Sequence, residues 1–243
     1  MTPQRIGLIV PSSNVTMETE IPDLLGHEKR TYHSSRAVLH NVDAESLHAM
    51  VAEGDRCAGE LADAGVEVIG YACLIALMAE GRGAHERVEQ HLSTVAEQRG
   101  SPCPIVSSAG ALVRTLRALQ MYRVAVIAPY VPTLTELVLQ YLDGYGIAAT
   151  DSISLSVTDN QAVGRLDPAQ LPVLAERVDK SGVDGIVLSA CVQMPSLPAV
   201  EQVQRACALP VVTAATATAR ELLLAAGANA AIPGGGAALE NGR

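Results

Sequence analysis

One segment constrains this chain more than any other, because it occurs twice. Val183-Asp184-Gly185-Ile186-Val187-Leu188-Ser189-Ala190-Cys191 is an apolar run that ends on a cysteine and passes into a turn-prone stretch. Val66-Glu67-Val68-Ile69-Gly70-Tyr71-Ala72-Cys73 has the same form: a Gly-Val-acid opening, an apolar run, then Ala-Cys. The two cysteines are 118 positions apart (191 − 73). The spacing recurs upstream, where Arg5-Ile6-Gly7-Leu8-Ile9-Val10-Pro11 matches Arg123-Val124-Ala125-Val126-Ile127-Ala128-Pro129 (123 − 5 and 129 − 11). A third pair begins at Pro104 and Pro210, only 106 apart (210 − 104), so the second copy has a shorter connection after its cysteine.

Continuous apolar runs of this length suit strands covered on both faces, as in parallel sheets. Helical patterns lie between them: from about Val15, from Ala44 to Ala64, Gly83 to Arg99, Ala109 to Leu119, Leu134 to Tyr145, Pro168 to Ser181 and Thr218 to Ala226. Further strands are expected at Tyr32 to His40 and Ile147 to Leu155. Strands alternating with helices predict an α/β fold with right-handed crossovers. The repeat divides it into two similar lobes with mainly parallel sheets, related by a pseudo-twofold axis, with the active site in the cleft between them. The expected lobes are residues 1–108, completed by a C-terminal helix within 216–243, and residues 109–215. Gly234-Gly235-Gly236 fits no phosphate-binding loop and is read as part of a terminal tail.

At 243 residues the chain is long enough to bury a sizeable core. Its net charge of −9 opposes a phosphate-backbone partner. With no Trp, no Phe and six Tyr, stacking platforms for single-stranded nucleic acid are scarce. No secretory signal is visible, and the most apolar stretch, Leu222 to Leu239, is interrupted by glycines, Asn229 and Pro233, so a membrane span is not expected. Five cysteines and no export signal suggest reduced thiols in the cytoplasm. None of the six histidines forms a zinc-type pair, so no metal is expected.

In parallel sheets, ligands sit at the carboxyl ends of the strands. The polar and reactive residues of this chain lie there: Ser12-Ser13-Asn14, Cys73, Tyr130 and Cys191. Cys73 and Cys191, at equivalent repeat positions, would face a small ligand from opposite sides. Cys57, Cys103 and Cys207 do not repeat and read as structural. Ser12 and Ser13 fit helix caps as well as ligand contacts. Asn14 could cap a helix and also offer an amide to the cleft. Tyr130 takes the repeat position of Ser12 (130 − 118 = 12) and is either a donor from the second lobe or a packing residue. Asn160, in a polar turn after a strand, is as readily a turn residue as a ligand contact.

Twin cysteines at strand ends resemble the aspartate/glutamate racemase superfamily. Pro11-Ser12-Ser13-Asn14-Val15-Thr16-Met17-Glu18 and Cys191-Val192-Gln193-Met194-Pro195-Ser196-Leu197, with Tyr71-Ala72-Cys73-Leu74 and Ala128-Pro129-Tyr130, resemble its maleate cis-trans isomerase branch. Amino-acid racemases of the superfamily place polar residues after each cysteine, where this chain has Leu74-Ile75 and Val192-Gln193. Arylmalonate decarboxylases keep only the second cysteine. The resemblance implies a cofactor-free reaction on a small dicarboxylate. Cys73 would be the nucleophile and Cys191 the proton donor and acceptor. Asn14, Tyr130, Asn160 and backbone groups near Pro11, Ser12 and Val192 would hold the carboxylates. It also implies a homodimer. A related racemase or decarboxylase, or a dicarboxylate-binding protein without catalysis, stays open at this point.

Overall fold

The computed structural model describes residues 3–39, 41 and 43–240. Strand β1 (Gln4–Pro11) leads through helix α1 (Met17–Leu25) to β2 (Arg30–Ala37). Helices α2 (Ala44–Ala52) and α3 (Gly54–Asp63) then cross to β3 (Val68–Tyr71), and α4 (Leu74–Ala79) and α5 (Ala84–Gln98) lead to β4 (Ile105–Ser107). The second half follows the same plan. Helix α6 (Ser108–Ala118) precedes β5 (Arg123–Ala128), α7 (Pro132–Asp143) and β6 (Ala148–Ser154). Helices α8 (Asn160–Val163) and α9 (Leu171–Arg177) lead to β7 (Gly185–Ser189), and α10 (Leu197–Cys207) leads to β8 (Val211–Thr213). Helices α11 (Ala214–Ala225) and α12 (Ala237–Glu240) close the described chain.

The strands form two sheets, β2-β1-β3-β4 and β6-β5-β7-β8, and every pairing is parallel. The second sheet therefore repeats the first strand for strand. Inner strands β1, β3, β5 and β7 are buried along nearly their whole length, which is why they read as unbroken apolar runs. Edge strands β2 and β6 are largely half-exposed and carry Thr31, Ser34, Asp151 and Ser152. In each sheet the order reverses beside the first strand. The chain leaves β1 through α1 toward β2 on one side and leaves β3 through α4 and α5 toward β4 on the other, so the two connections part above the carboxyl ends of β1 and β3. That crevice is where open α/β sheets bind ligands. Helix α11 follows the second sheet in sequence but contacts β3 and β4 of the first.

Several sequence expectations need correction. The helix expected from Ala44 to Ala64 breaks at Glu53. Gly54 there brings the backbone close to Leu92, whose side chain would lie 3.2 Å from an added Cβ. The helix expected over Pro168–Ser181 is a 3-10 turn (Pro168–Gln170) followed by the shorter α9. Strand β2 ends at Ala37; His40 lies outside the described residues. The glycine-rich end is not a loose tail. The Gly236 backbone carbonyl accepts from Leu239 and Glu240, and Ala238 and Leu239 are fully buried. The sequence reading passed over α4, since Leu74–Ala79 is apolar all round and lacks a polar face to reveal its period.

Gly185 opens the strand that delivers Cys191. A Cβ there would meet the Pro210 carbonyl oxygen at 2.6 Å, and Met121 closer still. Gly185→Ala is expected to lower stability by about 1–3 kcal/mol. Urea denaturation checks this, and an unchanged midpoint would contradict the packing described.

Candidate active site

The carboxyl ends of the inner strands of both sheets meet in one small cavity of about 20 Å³, room for about one water. The first lobe supplies Pro11, Asn14, Leu39, Ala72, Cys73, Leu74 and Ile75, and the second supplies Tyr130, Asn160, Cys191, Val192 and Gln193. No lining residue carries a charged side chain. Larger hollows of 380–500 Å³ lie elsewhere, but none is lined by a cysteine.

The loop after β1 brings Asn14 in. Its Oδ1 accepts from the Met17 N–H at 3.2 Å and so helps to start α1. Its Nδ2 is buried and has no partner. One amide thus serves the helix with its oxygen and leaves a donor unpaired, and a buried unpaired donor is costly unless something accepts from it. Ser12 departs from expectation. Its N–H donates to the Ala37 carbonyl at 2.7 Å, its Oγ accepts from the Leu39 N–H at 3.1 Å, and it does not line the cavity. Both groups are committed to holding the neighbouring loop.

Cys73 is the N-cap residue of α4 and is 4% exposed. Burial pushes its thiol up to about 12, opposed by the Ala76 N–H and reinforced by charge on Cys191. Cys191 is 6% exposed and also raised by burial, but more groups oppose the shift. The Tyr130 phenol and the N–H groups of Gln193 and Met194 oppose it, and the Gln193 N–H donates to the sulfur at 3.4 Å. Burial and the charge on Cys191 hold the Tyr130 phenol well above its ordinary value, so it remains a donor. Asn160 Nδ2 donates to Ser13 Oγ at 2.7 Å, and its backbone carbonyl accepts from Gln193 Nε2.

Cys73, Cys191, Asn14, Tyr130, Asn160, Pro11 and Val192 are therefore brought together, and Ser12 is not. The sequence reading missed Leu39, which follows an edge strand and carries no chemical signal. It quoted Gln193 within a motif but gave it no role. Thr16 and Glu20 likewise stand in or beside a quoted motif without a role, although both are buried at the junction between the lobes.

A family model described as arylmalonate decarboxylase matches residues 6–239. Maleate isomerase of Geobacillus stearothermophilus is 47% identical over 242 residues, covering 97% of this chain and 96% of that protein. Its counterpart in Pseudomonas putida is 49% identical over 241 residues, with the same coverage. The chain belongs to the maleate isomerase family. A maleate isomerase structure from Nocardia farcinica superposes with a TM-score of 0.94 at 46% identity, covering 97% of this chain and 98% of that one. It is a cysteine-to-serine mutant with a covalently bound succinylcysteine intermediate. Another maleate isomerase structure, a cysteine-to-alanine variant from Pseudomonas putida S16 with maleate, gives 0.96 at 45% identity over 98% of each chain. Arylmalonate decarboxylase shares the fold, with a TM-score of 0.85 at 24% identity for a double mutant.

The buried Cys73 thiol has a consequence for stability. Its folded-state value of about 12 lies above the ordinary 9.0, so above pH 9 the unfolded chain binds fewer protons than the folded one. Its contribution is fully present below pH 9 and is lost as pH rises toward 12. Denaturation midpoints measured across that window should fall less steeply in Cys73→Ser than in the wild type. Parallel curves would show that Cys73 ionises freely.

Proposed function

We propose that this chain converts maleate to fumarate by reversible covalent addition of Cys73 to the double bond. The observation that carries the reading is the meeting of Cys73 and Cys191, one from each lobe, in a cavity with no charged lining residue and an unpartnered amide donor at Asn14. The covalent succinylcysteine in the Nocardia relative supports the same chemistry.

Rotation about the central bond of maleate is blocked until that bond becomes single. With one proton shared between the two sulfurs, Cys191, which has more donors, carries the negative charge first. As the Cys73 sulfur bonds to one alkene carbon, its proton passes to Cys191 and then to the neighbouring carbon. The product is a succinyl thioether, and covalent catalysis has divided one difficult step into easier ones. After rotation, Cys191 takes a proton back from that carbon and the C–S bond breaks, leaving fumarate and the original pair of sulfurs.

Asn14 Nδ2, the Tyr130 phenol, Asn160 and the Val192 N–H hold the carboxylates and stabilise charge as it develops. Neutral donors let the intermediate rotate, where a bidentate guanidinium would pin it. Pro11 shapes the wall. No cofactor enters this sequence of steps. We also place the activity in a homodimer by the resemblance, in the cytoplasm by the reading of its cysteines as reduced thiols, and in lobes at 1–108 plus 216–243 and 109–215 by the repeat.

Turnover is read from the loss of maleate and the appearance of fumarate. Cys73→Ser should lower kcat by at least about 10³-fold. Cys191→Ser should accumulate an adduct of one maleate, seen by intact mass and absent from Cys73→Ala. Near wild-type turnover in Cys73→Ser would overturn the assignment. The family-model match favours decarboxylation as the second reading; release of CO2 from a substituted malonate without maleate turnover would establish it instead.

A further inference from the structure

The turn that follows Cys191 is held from the opposite lobe at three points. Thr16 Oγ1 donates to the Gln193 backbone carbonyl at 2.7 Å. Gln193 Nε2 reaches the Ser13 carbonyl at 3.5 Å while also donating to the Asn160 carbonyl of its own lobe. Glu20 Oε1 accepts from the Ser196 and Leu197 N–H groups, at 2.5 and 2.7 Å, where α10 begins. Thr16, Glu20, Gln193 and Ser196 are all buried. Burial raises the Glu20 carboxyl, and the Leu197 and Ser196 N–H groups oppose that shift.

The Thr16 contact bears on the chemistry through the backbone of one residue. Thr16 anchors the Gln193 carbonyl, and the N–H of the same residue donates to the Cys191 sulfur at 3.4 Å. The chain of contacts runs from Thr16 in the first lobe to the sulfur in the second. We propose that Thr16 is a positioning residue, whose hydroxyl anchors the Gln193 backbone and so holds the Gln193 N–H on the Cys191 sulfur. Glu20 holds the far end of the same turn. The proposal rests on the isomerase reading for its kinetic consequence, but not for its effect on Cys191.

Thr16→Val and Thr16→Ala both remove the hydroxyl, and Thr16→Ser keeps it. Both deletions are expected to lower kcat for maleate by about tenfold, the loss of one hydrogen bond to a charged group. KM should stay within about twofold, because Thr16 touches no substrate. Alkylation of Cys191 by iodoacetamide, followed peptide by peptide at fixed pH, should slow by roughly threefold to tenfold in both. Thr16→Ser should restore both readouts, which a merely structural role would not require. If Thr16→Val does not fold, Thr16→Ala carries the comparison alone. Wild-type kcat and wild-type Cys191 alkylation in a folded deletion variant would overturn the proposal. If the wild type does not turn over maleate, the functional reading fails separately, and the alkylation rates alone decide the role of Thr16.

Discussion

Burying two thiols in a cavity with no charged lining residue is the constraint on which the rest of this structure depends. A thiolate is the reactive form, and burial disfavours it. What reactivity remains is set by which neutral groups donate to each sulfur. The two cysteines occupy equivalent places in the repeat, yet their surroundings differ. Cys73 sits at the N-cap of a short helix, whereas the Gln193 N–H donates to the Cys191 sulfur at 3.4 Å and the Tyr130 phenol lines the same cavity. That asymmetry gives two chemically identical residues different surroundings. It also makes each thiol sensitive to the charge on the other.

The fold meets this constraint by sharing the site between lobes. Each sheet ends its inner strands at the same crevice, but neither lobe alone supplies both sulfurs. Contacts across the junction accordingly hold the turns beside the chemistry. Thr16 and Glu20, which follow Asn14 in the chain, hold the Cys191 turn, and Asn160 reaches back to Ser13. A second set of contacts lies along α5 and α7. The His85 ring meets the Tyr141 hydroxyl at 2.7 Å, and the Gly83 N–H donates to the Tyr145 hydroxyl at 2.9 Å. With the lobes joined at both places, the relation between the sulfurs is fixed by many small contacts.

Much of this was legible in the sequence, for a physical reason. Strands buried on both faces require apolar residues at every position, so β1, β3, β5 and β7 stand out as runs. A duplicated sheet leaves those runs at a fixed offset, and the offset alone paired Cys73 with Cys191 and Tyr130 with the loop after β1. The order of the strands then put reactive residues at their carboxyl ends. Helix boundaries were less legible. The break at Glu53 depends on how closely Leu92 approaches Gly54, and the packing of the glycine-rich end depends on β8 and α10 beneath it.

The sequence by itself determined the class of fold and the pairing of the cysteines, because periodicity and repeat spacing are properties of the chain. Only the tertiary structure decided what each polar group does there. Ser12 and Asn14 are two residues apart and look equally suited to bind a ligand. The fold commits both groups of Ser12 to its neighbours and leaves the Asn14 amide nitrogen unpaired. Thr16, Glu20 and Gln193 gain their meaning from partners more than 170 positions away in the chain. A hydrogen bond depends on where two groups lie in space, and local pattern does not carry that information.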